Sequence, residues 1–370
     1  MDAKITKIVI TGGPCAGKST ALRRIQKHFT QLGYSVVFVP ETATELISSG
    51  LAPWTCATNF DYQKCQMRFQ LEKEKIFQAA AETIHAEKIL VVCDRGIIDN
   101  KVYMQPEEYE QVLQSLGKHE VELRDGYDAV FHLVTAAKGA EEFYTTSNNN
   151  ARTETPEEAA ILDDKLIAAW TGHPHLRVID NSVDFDGKMK RLIAEISFFL
   201  GEPEPLEIER KYLIEYPDIE LLTQFESCKR VEIIQTYLKM PDGRELRVRQ
   251  RGENGHYIYI QTEKRRINDM KRIEIEKRLT KDEYLEMLMY SDIKRRQIRK
   301  DRYCLMYHNR YFEIDVFPFW KNKALAEIEL KSEDEKYEFP PFIRIIREVT
   351  GEAEYSNYAI ATRVPETAED

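Results

Sequence analysis

Thr11-Gly12-Gly13-Pro14-Cys15-Ala16-Gly17-Lys18-Ser19-Thr20 decides the architecture of the first half of the molecule. The segment fits G-x-x-x-x-G-K-[ST] and stands between an apolar run ending at Thr11 and a helical pattern rich in Leu, Ile and Arg, the strand, loop and helix order that such a motif needs. Its glycines let backbone N–H groups converge on phosphate oxygens, and the helix start adds positive potential. Lys18 then reaches the β- and γ-phosphates and the Ser19 hydroxyl can ligate Mg²⁺. Gly12, Gly13, Pro14, Cys15, Ala16, Gly17, Lys18, Ser19 and Thr20 are the expected nucleotide-binding residues.

Outward from this loop, apolar runs at Lys7–Thr11, Ser35–Pro40, Ile89–Asp94, Asp128–Thr135 and Leu176–Asp180 alternate with helical patterns. That alternation predicts a parallel sheet with flanking helices, the α/β form of a P-loop nucleotide-binding domain. Asp94 ends the third strand beside the loop and is the expected carboxylate partner of the metal, or else a strand-ending turn residue. Arg95 either neutralises a transferring phosphate or pairs with Asp99. Glu41 ends the second strand on the same sheet edge, where ligands collect, and can orient an acceptor hydroxyl or a metal-bound water, or else sit as an acid at a helix start.

The whole chain has 370 residues, with 53 Lys plus Arg against 63 Asp plus Glu, a net charge of −10 that excludes a generally basic nucleic-acid binder. Six scattered cysteines without a C-x-x-C pair indicate neither a zinc site nor a disulfide framework. No signal-peptide pattern and no apolar stretch of about 18 residues is present, so the expected location is cytoplasmic. Gly201-Glu202-Pro203-Glu204-Pro205 follows the last helical run and reads as a linker, giving domains at 1–201 and 206–362.

Beyond the linker the period changes to two, in eight runs between Glu207 and Lys331, which predicts an antiparallel eight-stranded β-barrel. Charged residues of both signs recur at alternate positions: Glu207, Glu209 and Lys211; Arg247 and Arg249; Thr262 and Lys264; Arg272, Glu274 and Glu276; Lys300 and Arg302; Glu313 and Asp315; Glu327, Glu329 and Lys331. Each set lies on one face of its strand. One such pair would read as the solvated face of a half-buried sheet; their recurrence predicts a charged interior. Lys211, Arg247, Arg249, Lys264, Lys300 and Arg302 are then the expected anion-binding residues, and Glu207, Glu209, Glu327 and Glu329, with Ser19 and Asp94 of the first half, the expected metal ligands.

The first half, over about residues 5–200, resembles P-loop kinases of the nucleoside type through Asp94-Arg95-Gly96, and more closely an AAA-like ATPase family carrying Pro40-Glu41-Thr42-Ala43-Thr44-Glu45-Leu46. That resemblance implies catalytic roles for Glu41, Asp94 and Arg95, with Arg152 as a lid arginine over the phosphates. In the second half Glu207-Ile208-Glu209-Arg210-Lys211 resembles the E-x-E-x-K signature of the triphosphate tunnel, or CYTH, family, with further ordered matches at Glu245–Arg249, Lys300–Tyr303, Asp315–Phe317 and Glu327–Glu329. It implies Mg²⁺ or Mn²⁺ with a triphosphate or other polyphosphate. The pairing of the two halves is similar to a family of animal photoreceptor proteins required for translocation of the channel TRPL. That likeness implies a GTP-binding regulator of endocytic recycling that recognises a phosphoinositide headgroup in peripheral contact with vesicle membranes. The residues leave ATP and GTP open, and equally a bifunctional enzyme with small-molecule kinase and Mg²⁺-dependent triphosphatase activities. Basic clusters at Lys264-Arg265-Arg266, Lys271-Arg272 and Lys294-Arg295-Arg296 are the segments able to meet anionic lipid.

Overall fold

The computed structural model describes residues 4–141, 155–202, 206–239, 245–266, 271–330 and 335–365. The chain divides into two compact units, Met1–Ile196 and Ser197–Asp370. The first contains β1 (Lys4–Gly12), α1 (Lys18–Gln31), β2 (Ser35–Val39), α2 (Thr42–Ser48), α3 (Asn59–Ala81), β3 (Lys88–Asp94), a 3₁₀ segment (Ile97–Tyr103), α4 (Pro106–Leu116), α5 (Glu120–Arg124), β4 (Ala129–Leu133), α6 (Pro156–Trp170), β5 (Leu176–Ile179) and α7 (Phe185–Leu200). The strands form one parallel sheet in the order β2-β3-β1-β4-β5, as the alternating runs predict. Ile8 to Ile10 of β1, Ile89 to Cys93 of β3 and Val130 to Leu133 of β4 are buried without regard to alternation, which helices on both faces require.

Helix starts in this unit are written locally. The Thr58 hydroxyl accepts from the Asp61 N–H to open α3, and Thr155 and Glu158 exchange hydrogen bonds around Pro156 to open α6. The register sets Asp94 of β3 level with Ile10 of β1, and Val39 of β2 level with Cys93. The phosphate loop, the β2–α2 corner and the end of β3 therefore share the carboxyl edge of three adjacent strands.

The second unit contains β6 (Leu206–Glu215), α8 (Ile219–Gln224), β7 (Cys228–Tyr237), β8 (Glu245–Glu253), β9 (His256–Arg266), β10 (Lys271–Leu279), α9 (Lys281–Leu288), β11 (Ile298–Tyr307), β12 (Arg310–Val316), β13 (Lys323–Leu330), β14 (Ile345–Glu348) and α10 (Asn357–Ile360). They build one nine-stranded antiparallel sheet in the order β10-β9-β8-β7-β11-β12-β13-β6-β14. β10 pairs in addition with β6, from Lys271 opposite Ile208 to Ile273 opposite Leu206, so the ladder returns to the strand it left. The sequence pattern misses β14, whose four residues are all exposed and show no apolar alternation. Left-handed residues Asn254 and Gly255 make one tight hairpin, and His308 with Asn309 another, as two-residue turns between twisted strands demand.

One apolar cluster of this unit lies on a single face of the sheet: Tyr212, Ile214, Leu305, Phe312, Ile314, Ala326 and Ile328 pack there with Leu222 of α8. The alternate positions of the same strands carry the charges. Among the described residues, no helix is long and apolar enough to cross a membrane.

Candidate functional site

Close approach explains the glycines of the phosphate loop. A Cβ on Gly12 would lie 2.2 Å from the Leu133 carbonyl oxygen, one on Gly13 would meet the Asp163 carboxylate at 2.9 Å, and Gly17 opens α1 at φ 94°. The loop is also held from behind. Asp163 of α6 accepts from the Gly13 N–H at 3.0 Å and the Thr135 N–H at 3.1 Å, while the Thr135 hydroxyl donates to the Pro14 carbonyl. Lys188 of α7 donates to the Ala16 carbonyl at 3.2 Å, the Val134 carbonyl at 2.6 Å and the Asn181 amide oxygen at 2.8 Å. Burial opposes the Asp163 charge, but His132, Lys138 and the Gly13 N–H outweigh it and bring the carboxyl to about 2.

Burial pulls Lys188 down to about 8 from 10.5, with Arg191 adding to it and Asp163 and Asp180 opposing. The ammonium places three protons on three oxygens, whereas the neutral amine has two. Nucleotide affinity should therefore be full below pH 8 and fall as pH rises through it. In Lys188→Met two loop-supporting carbonyls lose their donor, so affinity should drop about tenfold and that break should vanish. Titration of affinity against pH in both chains checks this; an identical break in the variant overturns the role of Lys188.

At the sheet edge, Arg95 stands at φ 66°, a conformation that costs a non-glycine residue about 1–3 kcal/mol. Its Nε donates to Glu41 at 2.5 Å, and its Nη1 lies 3.9 Å from Asp99. The arginine thus pairs more closely with Glu41 than with the expected Asp99. Asp99 instead accepts from the Thr11 hydroxyl at 2.8 Å and the Trp170 indole N–H at 2.6 Å, tying β1 and α6 to the segment after β3. Burial opposes the Arg95 cation, yet Tyr103, Glu41, Asp99 and Asp94 raise its pKa. Burial also opposes the Glu41 anion, and Arg95, Lys18 and Thr44 overcome it to give about 2. So weak a base orients a hydroxyl better than it removes a proton.

The Pro40–Leu46 motif has a structural explanation. Lys73 of α3 donates to the Pro40 carbonyl at 2.7 Å and to the Glu45 carboxylate, and the Thr44 hydroxyl donates to Glu41 at 2.9 Å, so the corner presents Glu41 in one orientation. The buried side of α3 is polar along most of its length. Gln66 donates to Asn100 at 2.5 Å, Asn100 to Gln70 at 3.0 Å and Gln70 to Glu74 at 3.1 Å, and Glu74 also accepts from the Tyr127 hydroxyl at 2.8 Å.

Burial and Arg95 push Lys18 down, partly offset by Glu41, Asp94 and Asp99. Burial raises Asp94, as do Glu41 and Asp99, against Lys18 and Arg95. Asp94 Oδ1 and Arg95 Nη1 are buried and accept or donate no hydrogen bond among the described residues. An acceptor and a donor left in this state beside a lysine suit a hard cation and a phosphate oxygen, so the residues fit a divalent ion held by Asp94 and Ser19.

In the second unit the strand register brings the charged sets onto a single face. Lys211 stands opposite Glu327 and Glu209 opposite Glu329; Arg302 stands opposite Asp315; Arg247 stands opposite Thr262 and Tyr237. This face is not solvated: Lys211, Arg247, Lys300, Arg302, Asp315 and Glu327 are all buried, Asp315 completely. Arg302 donates to Asp315 through Nε at 2.7 Å and Nη2 at 2.7 Å, to Glu313, and to Glu327 at 3.2 Å. Lys300 donates to Asp315, Lys211 lies 2.7 Å from Glu327, and Arg249 lies 2.7 Å from Glu276. Burial opposes the Glu327 anion, but Lys211, Arg302 and Lys300 hold it well below its ordinary range. Burial drives Lys300 down to about 8, with Arg302 acting alongside and Asp315 against. Along the same face the charges give way at one end to Leu213, Tyr237, Ile298, Phe317 and Leu325, which pack with Trp320, Tyr355 and Ile360.

Of the expected residues, Arg152 lies outside the described residues, and of Glu207, Lys264 and Glu274 only the backbone is described. Of the Lys294-Arg295-Arg296 cluster, Lys294 and Arg296 are exposed and Arg295 is engaged within the chain. Arg295 lies 3.4 Å from the Tyr358 ring centre and donates to the Tyr358 carbonyl and the Thr362 hydroxyl, fastening the C-terminal segment, so the stacked aromatic wins over solvent. Sequence reasoning also passed over Lys73, Asp163 and Lys188, each buried. Their signal is a charged residue on the otherwise buried side of a helical pattern.

Residues 7–188 match the AAA domain family, and residues 205–358 match the CYTH domain family. An inorganic triphosphatase of Nitrosomonas europaea is 34% identical over 163 residues, which make up 43% of this chain and 99% of that protein. A solved structure of an inorganic triphosphatase is 32% identical, covering 43% of this chain and 97% of that one, with a TM-score of 0.30. A deoxyadenosine kinase from M. mycoides, solved with bound dATP, is 16% identical, covering 52% of this chain and 99% of that one, with a TM-score of 0.37.

Proposed function

Since residues 205–358 place the chain in the CYTH domain family, behind an AAA-type P-loop domain, we propose a bifunctional phosphate enzyme: a divalent-metal-dependent triphosphatase site in the second unit and a nucleotide-dependent phosphoryl-transfer site in the first. The observation that carries the reading is the buried face on which Lys211, Lys300 and Arg302 meet Glu327 and Asp315. A structural core has no use for so many desolvated charges, whereas a linear triphosphate with its cation matches both signs. Glu209, Glu327 and Glu329, with Glu207, offer the oxygen ligands that Mg²⁺ or Mn²⁺ takes. A cation bound there would polarise a phosphoryl oxygen and lower the pKa of a bound water.

In the first unit Lys18 and the loop amides hold the phosphates of ATP or GTP, Arg95 faces the transferring group, and Glu41 orients a hydroxyl of a small acceptor. The buried Thr42 and Tyr62 hydroxyls and the Gln63 amide oxygen, which make no hydrogen bond among the described residues, support an acceptor held between α2 and α3. The Glu41 carboxylate contributes, after burial and Cys56, to raising the Tyr62 hydroxyl, which supports a space near the phosphate site. The regulatory reading, a GTP-binding protein of endocytic recycling with a phosphoinositide ligand, ranks second: the relative matched over nearly its full length is a triphosphatase, and Arg295 is engaged within the chain.

Phosphate release from inorganic triphosphate, ATP and GTP by the full chain, with and without Mg²⁺ or Mn²⁺, tests this. Metal-dependent hydrolysis of triphosphate is expected to survive Lys18→Ala and to fall at least about 100-fold in Lys211→Ala. Absence of turnover with every metal and phosphate sinks the enzyme reading.

A further inference from the structure

A non-glycine residue in the left-handed region, as Arg95 is at φ 66°, stays there only where its surroundings over-determine it. The Arg95 N–H donates to the Ile10 carbonyl at 3.0 Å, and a Cβ on Gly96 would lie 2.5 Å from the Trp170 ring, so the chain turns sharply while pressed against α6. The remaining restraints come from α3 and from Tyr127, which precedes β4. Gln70 Nε2 lies 3.5 Å from the Arg95 carbonyl oxygen, and the Ile97 N–H donates to the Tyr127 hydroxyl at 2.9 Å. Asn100 Nδ2 donates to the Ile97 carbonyl at 2.9 Å and to Gln70 Oε1 at 3.0 Å.

The direction of each of these bonds leads back to one side chain. Glu74 Oε1 accepts from Gln70 Nε2 at 3.1 Å and from the Tyr127 hydroxyl at 2.8 Å. The first bond turns the Gln70 amide so that its nitrogen meets the Arg95 carbonyl and its oxygen meets Asn100; the second leaves the Tyr127 lone pairs to the Ile97 N–H. Amides and hydroxyls can point either way, and a carboxylate, which only accepts, removes that choice. Burial raises the Glu74 pKa, and Lys7, the Tyr127 hydroxyl and Gln70 act against that rise. Lys7 Nζ stands 3.6 Å from Glu74 Oε2 and 4.6 Å from the Tyr127 ring centre. Lys7 precedes Gly12 by five residues on β1, roughly 16 Å along the strand from the phosphate loop.

Resting on the reading of Arg95 as the residue that faces the transferring phosphoryl group, we infer that Glu74 and Tyr127 are positioning residues for that transfer. They fix the backbone from Arg95 to Asn100, and through it the direction of the Arg95 guanidinium, from outside the phosphate site. Glu74→Gln keeps the size of the side chain but offers one oxygen to three donors. Whichever way the carboxamide turns, its NH₂ faces either Lys7 or the Gln70 and Tyr127 donors, and the polarity of the network is lost. Tyr127→Phe keeps the ring against Lys7 and Trp170 and strands only the Ile97 N–H.

The readout is the preference for a non-hydrolysable ATP analogue over ADP, since the γ-phosphate that Arg95 faces is what separates the two probes. Titrations use the full chain with Mg²⁺, and binding that persists in Lys18→Ala, which belongs to the second unit, is subtracted. The preference should fall at least about tenfold in Arg95→Ala, the size of one charge-assisted hydrogen bond. Glu74→Gln and Tyr127→Phe should each lower it about fivefold while ADP affinity stays within about twofold of wild type. Neither should lower it further in combination with Arg95→Ala, because all three act through one guanidinium. Tyr127→Phe serves if Glu74→Gln does not fold. An unchanged preference in the folded variants, a parallel fall in analogue and ADP affinity, or an additive loss in the combined chains overturns the inference and leaves the role of Arg95 standing. Equal preference in wild type and Arg95→Ala overturns that role and the inference with it.

Discussion

Lys18→Ala is expected to weaken Mg²⁺–ATP and Mg²⁺–GTP binding at least about 100-fold while leaving thermal unfolding unchanged or slightly raised. The magnitude follows from losing a charge-assisted contact to the β/γ-phosphates in a dry site, where such contacts are about twice as strong as neutral ones. The stability follows from the resting charges. Lys18 is destabilised as a cation by burial and by Arg95, so its removal relieves more strain than it creates. Affinity within threefold of wild type would sink the assignment of the loop.

Asp315→Ala has the largest expected effect on stability, a loss of about 3–5 kcal/mol, because it strands Lys300 and Arg302 as buried cations with no counter-ion of comparable geometry. The sign with pH is also fixed. Burial opposes the Asp315 anion, but Arg302 and Lys300 hold its pKa below the ordinary 3.8, so its contribution is complete above that value and is lost as pH falls below it. Denaturant unfolding of the two chains should accordingly differ most near neutrality and converge in acid. A difference under about 1 kcal/mol at pH 7 would mean that water reaches these groups, and with it the argument from desolvation would fail.

The elements were largely legible in the sequence because their periods are unambiguous. Ile89–Cys93 is apolar without alternation, as a strand buried on both faces must be, and Glu313 and Asp315 alternate strictly with Phe312, Ile314 and Val316. What alternation cannot supply is the identity of the partners. It placed Arg302 among carboxylates but not in a fork with Asp315, and it offered Asp99 to Arg95 when a left-handed backbone turns that arginine to Glu41. The supports of the phosphate loop were illegible for a different reason. Asp163 and Lys188 reach Gly13 and Ala16 from 150 and 172 residues away, and a single residue carries no mark of so distant a contact. β14 escaped because its hydrogen bonds to β6 are its only reason to be a strand.

The polar underside of α3 has a thermal consequence. A helix docked by Leu and Ile draws on an interaction that fades on cooling, since apolar hydration carries a large heat capacity. Gln63, Gln66, Gln70, Lys73 and Glu74 make up most of the buried residues of α3, and exposing polar area lowers the heat capacity rather than raising it. The attachment of α3, and with it the Lys73 hold on the Glu41 corner, is thus enthalpic and directional. It keeps its strength in the cold, where the surrounding apolar core weakens.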